Sequence, residues 1–269
     1  MITKEIRKSI VYMAHYSMAS HVGACLSIVE ILYTLYFKVL NVDPLNPEKN
    51  DRDKFILSKG HASAALYATL AERGFFSKKL LDKYYIDNGV LPGHLDMQSV
   101  PGIEISAGSL GHGLSIGVGM ALANKTDNNS GKIFVLIGDG ESNEGSIWEA
   151  VMLAPALKLN NLTVIIDYNK LQGFGCTNEI INQSNMFERW KSFGWEVMEV
   201  DGHNTEELEN SLKKESSCPK IIIANTVKGK GISFMENKLE WHYKSPNEDQ
   251  YKQAINELNT VSAKQNSFK

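Results

Sequence analysis

An acidic residue between two glycines ends an apolar run of the sequence. The run KIFVLI (132–137) stops at Gly138, Asp139 and Gly140. A second apolar run, LTVIID (162–167), leads to Asn169, which stands 169 − 139 = 30 positions after Asp139. Such oxygen donors suit Mg²⁺, which binds one or two carboxylates together with phosphate oxygens and water, and glycines let a bulky anion approach the backbone. Gly-Asp-Gly alone is a common turn, but with Asn169 it predicts a metal-assisted anion site.

Four of the seven histidines stand in predicted loops or at the ends of predicted elements, where a core histidine is less expected. They are His21, His61, His94 and His242. Histidine titrates near neutrality and can hydrogen-bond or move protons, so these four are candidates for the same site. We expect His15 to be a surface residue and His203 to lie in a loop or at a helix start. After the Gly-Asp-Gly turn, Glu141 is expected only to favour a helix N-terminus.

Alternating strands and helices are expected to position these residues. The pattern predicts strands at 55–57, 132–137, 162–168, 195–200 and 220–225, and helices at 62–73, 144–158, 184–193 and 204–214, after two amphipathic N-terminal helices. Strands that alternate with helices form right-handed crossover units around a parallel sheet. The predicted fold is therefore α/β, with a mostly parallel central sheet, helices on both faces, and ligands at the carboxyl ends of the strands.

The composition excludes several classes of function. The chain has 269 residues, a formal net charge of -3 and no dense Lys/Arg run, which argues against nucleic acid as a partner. It has no apolar stretch of membrane-spanning length and no secretory signal, so no membrane association is expected. Three scattered cysteines favour a reducing cytoplasm. We predict a single domain over 1–258, followed by a polar, loose tail over 259–269.

The Gly-Asp-Gly turn followed thirty residues later by asparagine resembles the thiamine diphosphate motif, and almost the whole chain resembles the N-terminal segment of transketolase. The matching stretches are ASHVG (19–23), LSKGH (57–61), PGH (92–94), GSLG (108–111), GDG (138–140), DYNKL (167–171), VDGH (200–203), KGKG (228–231) and WH (241–242). The resemblance implies a thiamine diphosphate-binding fold whose domain over 1–258 binds the diphosphate. It also implies thiamine diphosphate as cofactor, with Mg²⁺ or another divalent cation such as Ca²⁺ or Mn²⁺.

The resemblance further assigns residues to the cofactor. The implied metal ligands are the side chains of Asp139 and Asn169 and the carbonyl of Leu171. The implied contacts to the diphosphate are His61, Gly140 and His242. The residues implied to border the aminopyrimidine are Gly108, Ser109 and Leu110.

Catalytic roles follow from the same resemblance. His21, His94 and His242 would hydrogen-bond or shuttle protons to the ketol oxygens of a sugar. Glu144 would join a proton network shared with another subunit and so also support the cofactor. Two positions depart from the family pattern: His112 stands where relatives more often carry Gln, and Tyr243 stands where they commonly carry Gly and could narrow the pocket.

The partner is also implied by the family. Transketolases activate the aminopyrimidine with a glutamate of a second, pyrimidine-binding domain, and this chain ends before such a domain. We therefore expect the N-terminal subunit of a split transketolase, which joins a C-terminal subunit in an α₂β₂ heterotetramer and transfers a two-carbon ketol unit from a ketose phosphate to an aldose phosphate. Three alternatives stay open: another thiamine diphosphate enzyme such as a deoxyxylulose-phosphate synthase, a transketolase-like subunit for an unusual sugar, and a non-catalytic assembly or regulatory homologue.

Overall fold

A five-stranded parallel sheet forms the centre of the computed structural model, which describes residues 1–266 and the burial of side chains as far as residue 260. The strands are β1 (Lys54–Leu57), β2 (Ile133–Gly138), β3 (Leu162–Tyr168), β4 (Leu171–Gln172), β5 (Gly175–Cys176), β6 (Glu196–Asp201) and β7 (Lys220–Asn225). The sheet has the order β1-β2-β3-β7-β6, whereas β4 and β5 form a separate antiparallel hairpin. Every neighbouring pair in the sheet is parallel, so the predicted fold class is confirmed.

Helices connect the strands and cover the sheet. They are α1 (Ile2–Tyr16), α2 (Val22–Leu26), α3 (Val29–Thr34), α4 (Ser63–Arg73), α5 (His112–Thr126), α6 (Gly145–Ala156), α7 (Thr177–Ile180), α8 (Met186–Ser192), α9 (Thr205–Lys213) and α10 (Glu248–Asn266). Short 3₁₀ turns at Gly60–Ala62, Gly140–Asn143 and Leu239–His242 bring the chain into the region that later forms the site. Of the described helices, none combines the length and apolar character that crossing a membrane requires.

The two faces of the sheet bury different helices. In β2, Phe134 and Leu136 pack in a core cluster with residues of α1 to α4 and α9. Val135 and Ile137 point to the opposite face, in a cluster with residues of α5, α6 and α8. Because both faces are covered, the strand has no polar side and reads in the sequence as an uninterrupted apolar run.

Most predicted elements occur within one or two residues of their expected bounds. The helix predicted at 144–158 ends at Ala156, one residue after Pro155, and the one predicted at 184–193 is shortened to Met186–Ser192. Helix α10 continues to Asn266, so part of the segment expected as a loose tail (259–269) is helical. Residues 267–269 lie outside the described part of the chain, and the looseness of the tail stays a prediction.

Candidate active site

Four neighbouring strands end at the same edge of the sheet, and each is followed by a polar segment. Residues 58–61 follow β1, residues 139 and 140 follow β2, residues 169 and 170 follow β3, and residues 226–228 follow β7. The register pairs Gly138 with Asp167, which places the Gly-Asp-Gly turn directly beside Asn169. The expected convergence at the carboxyl edge of the sheet is therefore present in the structure.

Asp139 is a buried carboxylate at this edge, with 3% of its surface exposed. One carboxylate oxygen accepts a hydrogen bond from the backbone N–H of Gly140 (2.7 Å). The other accepts from the N–H of Lys170 (2.7 Å) and the hydroxyl of Thr177 (3.0 Å). Burial, followed by the nearby charge of Asp167, raises the pKa of Asp139. The carboxylate is thus fixed in orientation and would be stabilised by a cation.

Asn169 is oriented by a residue that the sequence did not single out. Its amide nitrogen donates to the carboxylate of Asp167 (2.8 Å), which fixes the opposite side of the amide as the acceptor. That oxygen accepts from the N–H of Leu171 (3.1 Å). Asp167 also accepts from Lys59, Ser27 and Thr226, and is completely buried. It is a positioning group beneath the candidate metal ligands.

The donor set fits a hard divalent cation that is completed by an anionic ligand. Asp139, Asn169 and Leu171 all line one cavity and offer a carboxylate, an amide oxygen and a backbone carbonyl. Within the described residues there is no group of three His, Cys, Asp or Glu side chains that could hold a metal ion by itself. A cation here would therefore take further oxygens from a phosphate and from water, which is the pattern that Mg²⁺ favours.

Two lysines bring positive charge to the same cavity. The ammonium of Lys228 donates to the carbonyl of Leu171 (2.9 Å) and contacts Nδ1 of His242 (3.0 Å). Burial, followed by the charge of Lys59, lowers the pKa of Lys228 to about 8. Lys59 is 2% exposed and forms an ion pair with Asp167. Cationic side chains at this edge would attract an anion such as a diphosphate.

Glu141 does more than favour a helix N-terminus, which is the only role that the sequence predicted for it. Its side chain is 2% exposed and lies within the turn Gly140–Asn143. The carboxylate accepts from the N–H of Gly111 (2.9 Å), the N–H of Gly138 (3.0 Å) and the hydroxyl of Ser58. Besides standing in a first helical turn, Glu141 therefore ties together the ends of β1 and β2 and the entrance of α5. Burial raises its pKa, and its hydrogen bonds act in the opposite direction.

The four candidate histidines form one cluster. His21 lies 5.1 Å from His61, 6.2 Å from His94 and 4.9 Å from His242, measured between ring centroids. Burial is the main cause that lowers the pKa of His21 to about 4 and of His242 to about 3. The pKa of His61 is also well below its ordinary value, again mainly because of burial. These three rings are neutral at physiological pH and can both donate and accept hydrogen bonds.

One cavity of about 490 Å³ collects nearly all predicted site residues. Those that line it are His21, His61, His94, Gly108, Leu110, Asp139, Gly140, Glu144, Asn169, Leu171 and His242. Ser109 is exposed and is not among the lining residues. Glu144 lies at the start of α6 and is also exposed. A carboxylate must be exposed in this chain if it is to contact another chain. The volume lies within the range of cavities that hold small-molecule ligands.

The remaining histidines lie outside this cavity. His15 contacts the carbonyl of Pro246 (2.8 Å) and the carboxylate of Glu248 (3.1 Å) between α1 and α10. His203 accepts from the N–H of Val227 (2.8 Å) through Nε2, so its Nδ1–H donates to Glu30 (2.9 Å). These contacts are structural. The ring of His112 is exposed and its Nδ1 lies 3.1 Å from the carbonyl of Leu110.

Comparison with known proteins gives a consistent result. Residues 2–266 match the family model described as "Transketolase, thiamine diphosphate binding domain". The chain is 42% identical over 255 residues to an apulose-4-phosphate transketolase subunit of Phocaeicola vulgatus, covering 94% of this chain and 90% of that protein. It is 45% identical over 246 residues to the 6-deoxy-6-sulfo-D-fructose transketolase subunit SqwG of a Clostridium species, covering 90% of each.

Solved structures show the same fold in longer proteins. The transketolase of Campylobacter jejuni superposes with a TM-score of 0.90 at 32% identity, over 96% of this chain and 43% of that one. A transketolase variant from Pichia stipitis gives a TM-score of 0.88 at 30% identity, over 96% and 40% respectively. The chain thus spans about two fifths of the solved transketolases that it resembles, but nine tenths of the two subunits.

Proposed function

This chain belongs to the transketolase family, and we propose that it is the N-terminal, diphosphate-binding subunit of a split transketolase. The observation that carries the proposal is the similarity to two proteins named as transketolase subunits, at 42% and 45% identity over nine tenths of each. The complete enzyme would transfer a two-carbon ketol unit from a ketose to an aldose. A second, pyrimidine-binding subunit would complete the active site.

The cofactor assignment is supported by the chemistry of the cavity wall. We assign thiamine diphosphate with Mg²⁺, held through Asp139, Asn169 and the carbonyl of Leu171, with Gly140 and His61 at the diphosphate. Thiamine diphosphate, when bound, supplies an electron sink for cleavage of a carbon–carbon bond. This chain contributes binding and orientation, because its fixed carboxylate and its lysines balance the charges of the metal and the diphosphate.

The histidines are assigned to the sugar and to the cofactor. Lys228 donates to Nδ1 of His242, so the proton of the neutral ring lies on Nε2 and can be donated. Neutral His21 can accept a proton or a hydrogen bond from a sugar hydroxyl, and His94 lies 6.2 Å away across the same cavity. We propose that His21, His94 and His242 bind the C1 and C2 oxygens of the ketose and move protons there.

The substrate and the assembly are proposed more broadly. The two subunits compared above act, by their names, on apulose 4-phosphate and 6-deoxy-6-sulfo-D-fructose, both transketolase substrates with an anionic group. We propose a ketose phosphate or a comparable anionic ketose as donor, an α₂β₂ heterotetramer, and the cytoplasm as the location. These relatives favour a transketolase over a deoxyxylulose-phosphate synthase or a silent homologue.

The test is binding and turnover with and without the partner. The chain co-expressed with the C-terminal subunit should bind thiamine diphosphate in a Mg²⁺-dependent manner by calorimetry and transfer ketol units, whereas the chain alone should show little or no turnover. Losing an outer-shell partner of a metal ligand typically costs 10–100-fold in affinity, so Asp139→Asn, which alters a ligand itself, should weaken cofactor binding by about 100-fold or more. Asp87→Asn, at an exposed carboxylate outside the cavity, is the control.

Two results would contradict the assigned cofactor site. A third would contradict the proposal that the active site is divided between two subunits. Cofactor binding by the Asp139→Asn complex as tight as that of the wild type would remove the assigned metal site. A wild-type complex that binds no thiamine diphosphate at any Mg²⁺ concentration would favour the non-catalytic alternative. Full ketol transfer by the purified chain without its partner would show that the proposed division between two subunits is wrong.

A further inference from the structure

Tyr243 lies in the cavity but has no part in the chemistry assigned above. It follows His242 at the end of the turn Leu239–His242, and its side chain lines the cavity although 58% of it is exposed. Its ring packs edge-on against His242, with the centroids 4.9 Å apart. The aromatic side chain therefore stands at the rim, close to the residues that bind the cofactor.

The hairpin of β4 and β5 forms the facing rim. Each of its strands has two residues, and Gly173 and Phe174 form its tip. Phe174 is 89% exposed. A hairpin this small is marginal on its own and needs contacts from the rest of the protein to keep one position. The position matters because the hairpin begins with Leu171, whose carbonyl is a proposed metal ligand.

The hairpin also covers the Gly-Asp-Gly turn. A methyl group added at Gly140 would lie 2.9 Å from Cγ of Gln172, so Gly140 permits the hairpin to lie close to the turn. The residue after the hairpin, Thr177, donates to Asp139 (3.0 Å). Movement of the hairpin would therefore disturb the carboxylate and the carbonyl of the metal site together.

Tyr243 fastens the tip of this hairpin. Its hydroxyl donates to the carbonyl of Gly173 (2.8 Å). A methyl group on Gly173 would lie 2.8 Å from that hydroxyl and 3.3 Å from Nε2 of His242, so only glycine leaves room for both side chains. Lys228 makes a second connection, since its ammonium contacts both the carbonyl of Leu171 and Nδ1 of His242. The base and the tip of the hairpin are thus both tied to the His242–Tyr243 turn.

We propose that Tyr243 is a positioning residue that holds the β4–β5 hairpin over the metal and the diphosphate and so slows the release of the cofactor. The inference rests on the proposed function, because it takes thiamine diphosphate with Mg²⁺ as the ligand. Tyr243 acts through the carbonyl of Gly173 and does not touch the reacting atoms. The carbonyl of Leu171 keeps its place for the metal because the tip of the same hairpin cannot swing outward.

The experiment removes one oxygen atom. Tyr243→Phe keeps the ring and its packing on His242 but loses the hydrogen bond to Gly173. In the assembled two-subunit complex, we expect thiamine diphosphate to leave five to ten times faster after Mg²⁺ is chelated, as followed by tryptophan fluorescence. In the cofactor-free chain, we expect faster hydrogen–deuterium exchange of the amides of 171–176. The thermal midpoint should not change, because the side chain is more than half exposed.

Two further variants separate this role from a general structural effect. Gly173→Ala alters the other partner of the same hydrogen bond, because its methyl group displaces the hydroxyl of Tyr243. This variant should therefore also release thiamine diphosphate faster than the wild type. Tyr16→Phe, on α1 and 62% exposed, should release the cofactor at the wild-type rate.

The outcomes distinguish the inference from the proposed function. If the wild-type complex binds no thiamine diphosphate, the proposed function fails, and the exchange of the hairpin amides still reports on the contact. If the wild type binds the cofactor but Tyr243→Phe changes neither release nor exchange, the inference is wrong. A Tyr243→Gly variant that alters only the KM for the sugar would also overturn it, and would assign Tyr243 to the shape of the sugar site.

Discussion

Half-buried histidines make the stability of this protein depend on pH. Burial lowers the pKa of His21 to about 4 and of His242 to about 3, whereas an unfolded histidine titrates near 6.5. Between about pH 6.5 and pH 4 the unfolded chain therefore binds protons that the folded chain does not, and the free energy of unfolding falls as the pH falls. His21→Asn should make this slope shallower by up to about 1.4 kcal/mol per pH unit. Urea unfolding at several pH values between about 4 and 6.5 measures the slope of the free energy of unfolding against pH.

Asparagine is the suitable replacement at this position. His21 has φ +68, in the left-handed region that asparagine adopts more readily than most residues. A His21→Asn and His242→Asn double variant should flatten the slope further. Burial raises the pKa of Asp139 and of Glu141, which acts in the opposite direction but equally in wild type and variants. An identical slope in wild type and His21→Asn would refute the prediction.

The residues of the site differed in how well the sequence could predict them. Asp139 and Asn169 were predictable because each ends an apolar strand, and the spacing of 30 positions places them on neighbouring strands. Lys59 and Lys228 were quoted in matching motifs but given no role, because lysines are normally exposed. The burial of Lys59 depends on its ion pair with Asp167, 108 positions away. No local pattern in the sequence reveals a pairing of that kind.

Helix α5 shows how closely the elements around the site are packed. A methyl group added at Gly113, in its first turn, would lie 2.5 Å from Cβ of Ser58, at the end of β1. Gly113→Ala should therefore destabilise the protein by about 1–3 kcal/mol, as overpacking of a well-filled core does. Gly119 lies in the same helix, and the described residues leave the space around it open within 4 Å. There, Gly119→Ala should stabilise by about 0.5–1 kcal/mol, because alanine favours helix.

Chemical unfolding of the two variants tests this contrast within a single helix. Both substitutions gain the same helix propensity, so the difference between them isolates the contact with Ser58. A stability gain in both variants would mean that the entrance of α5 can move away from β1. Glu141 accepts hydrogen bonds from the N–H of Gly111 and the hydroxyl of Ser58. In that case these bonds would not fix the distance between the start of α5 and the end of β1.

The elements were predictable to the extent that their burial leaves a pattern in the sequence, either a periodic one or an uninterrupted apolar run. The strand over Ile133–Gly138 is buried along its whole length, and its apolar run marks it in the sequence. The hairpin of β4 and β5 was missed because strands of two residues are too short to show any alternation. Its position is decided instead by contacts from Asp139, Lys228 and Tyr243. All three residues lie far from the hairpin in the sequence, so the sequence could not predict how the rim of the cavity is formed.

The exposed apolar residues of α5 and α6 indicate where a partner would bind. Helix α6 begins beside Glu144, which lines the cavity, and Met152 and Leu153 on this helix are 53% and 49% exposed. On the adjacent helix α5, Ile116 and Leu122 are 38% and 39% exposed. Exposed apolar groups on neighbouring helices are typical of protein interfaces. Because this surface starts at the cavity, we expect the pyrimidine-binding subunit to cover it and to close the site at the same time.

Placing charge on this surface should therefore prevent assembly without unfolding the chain. Met152→Glu combined with Leu153→Glu should weaken binding of the partner subunit by about 30-fold or more, since altering the few central hot-spot residues of an interface costs about 2 kcal/mol or more. The thermal midpoint of the isolated chain should stay near that of the wild type, because both side chains are exposed in it. Light scattering after size-exclusion chromatography measures assembly, with Leu45→Glu, at a 93% exposed residue outside α5 and α6, as the control. Normal assembly of the double variant would place the partner elsewhere, and Glu144 would then have to face solvent or a different chain.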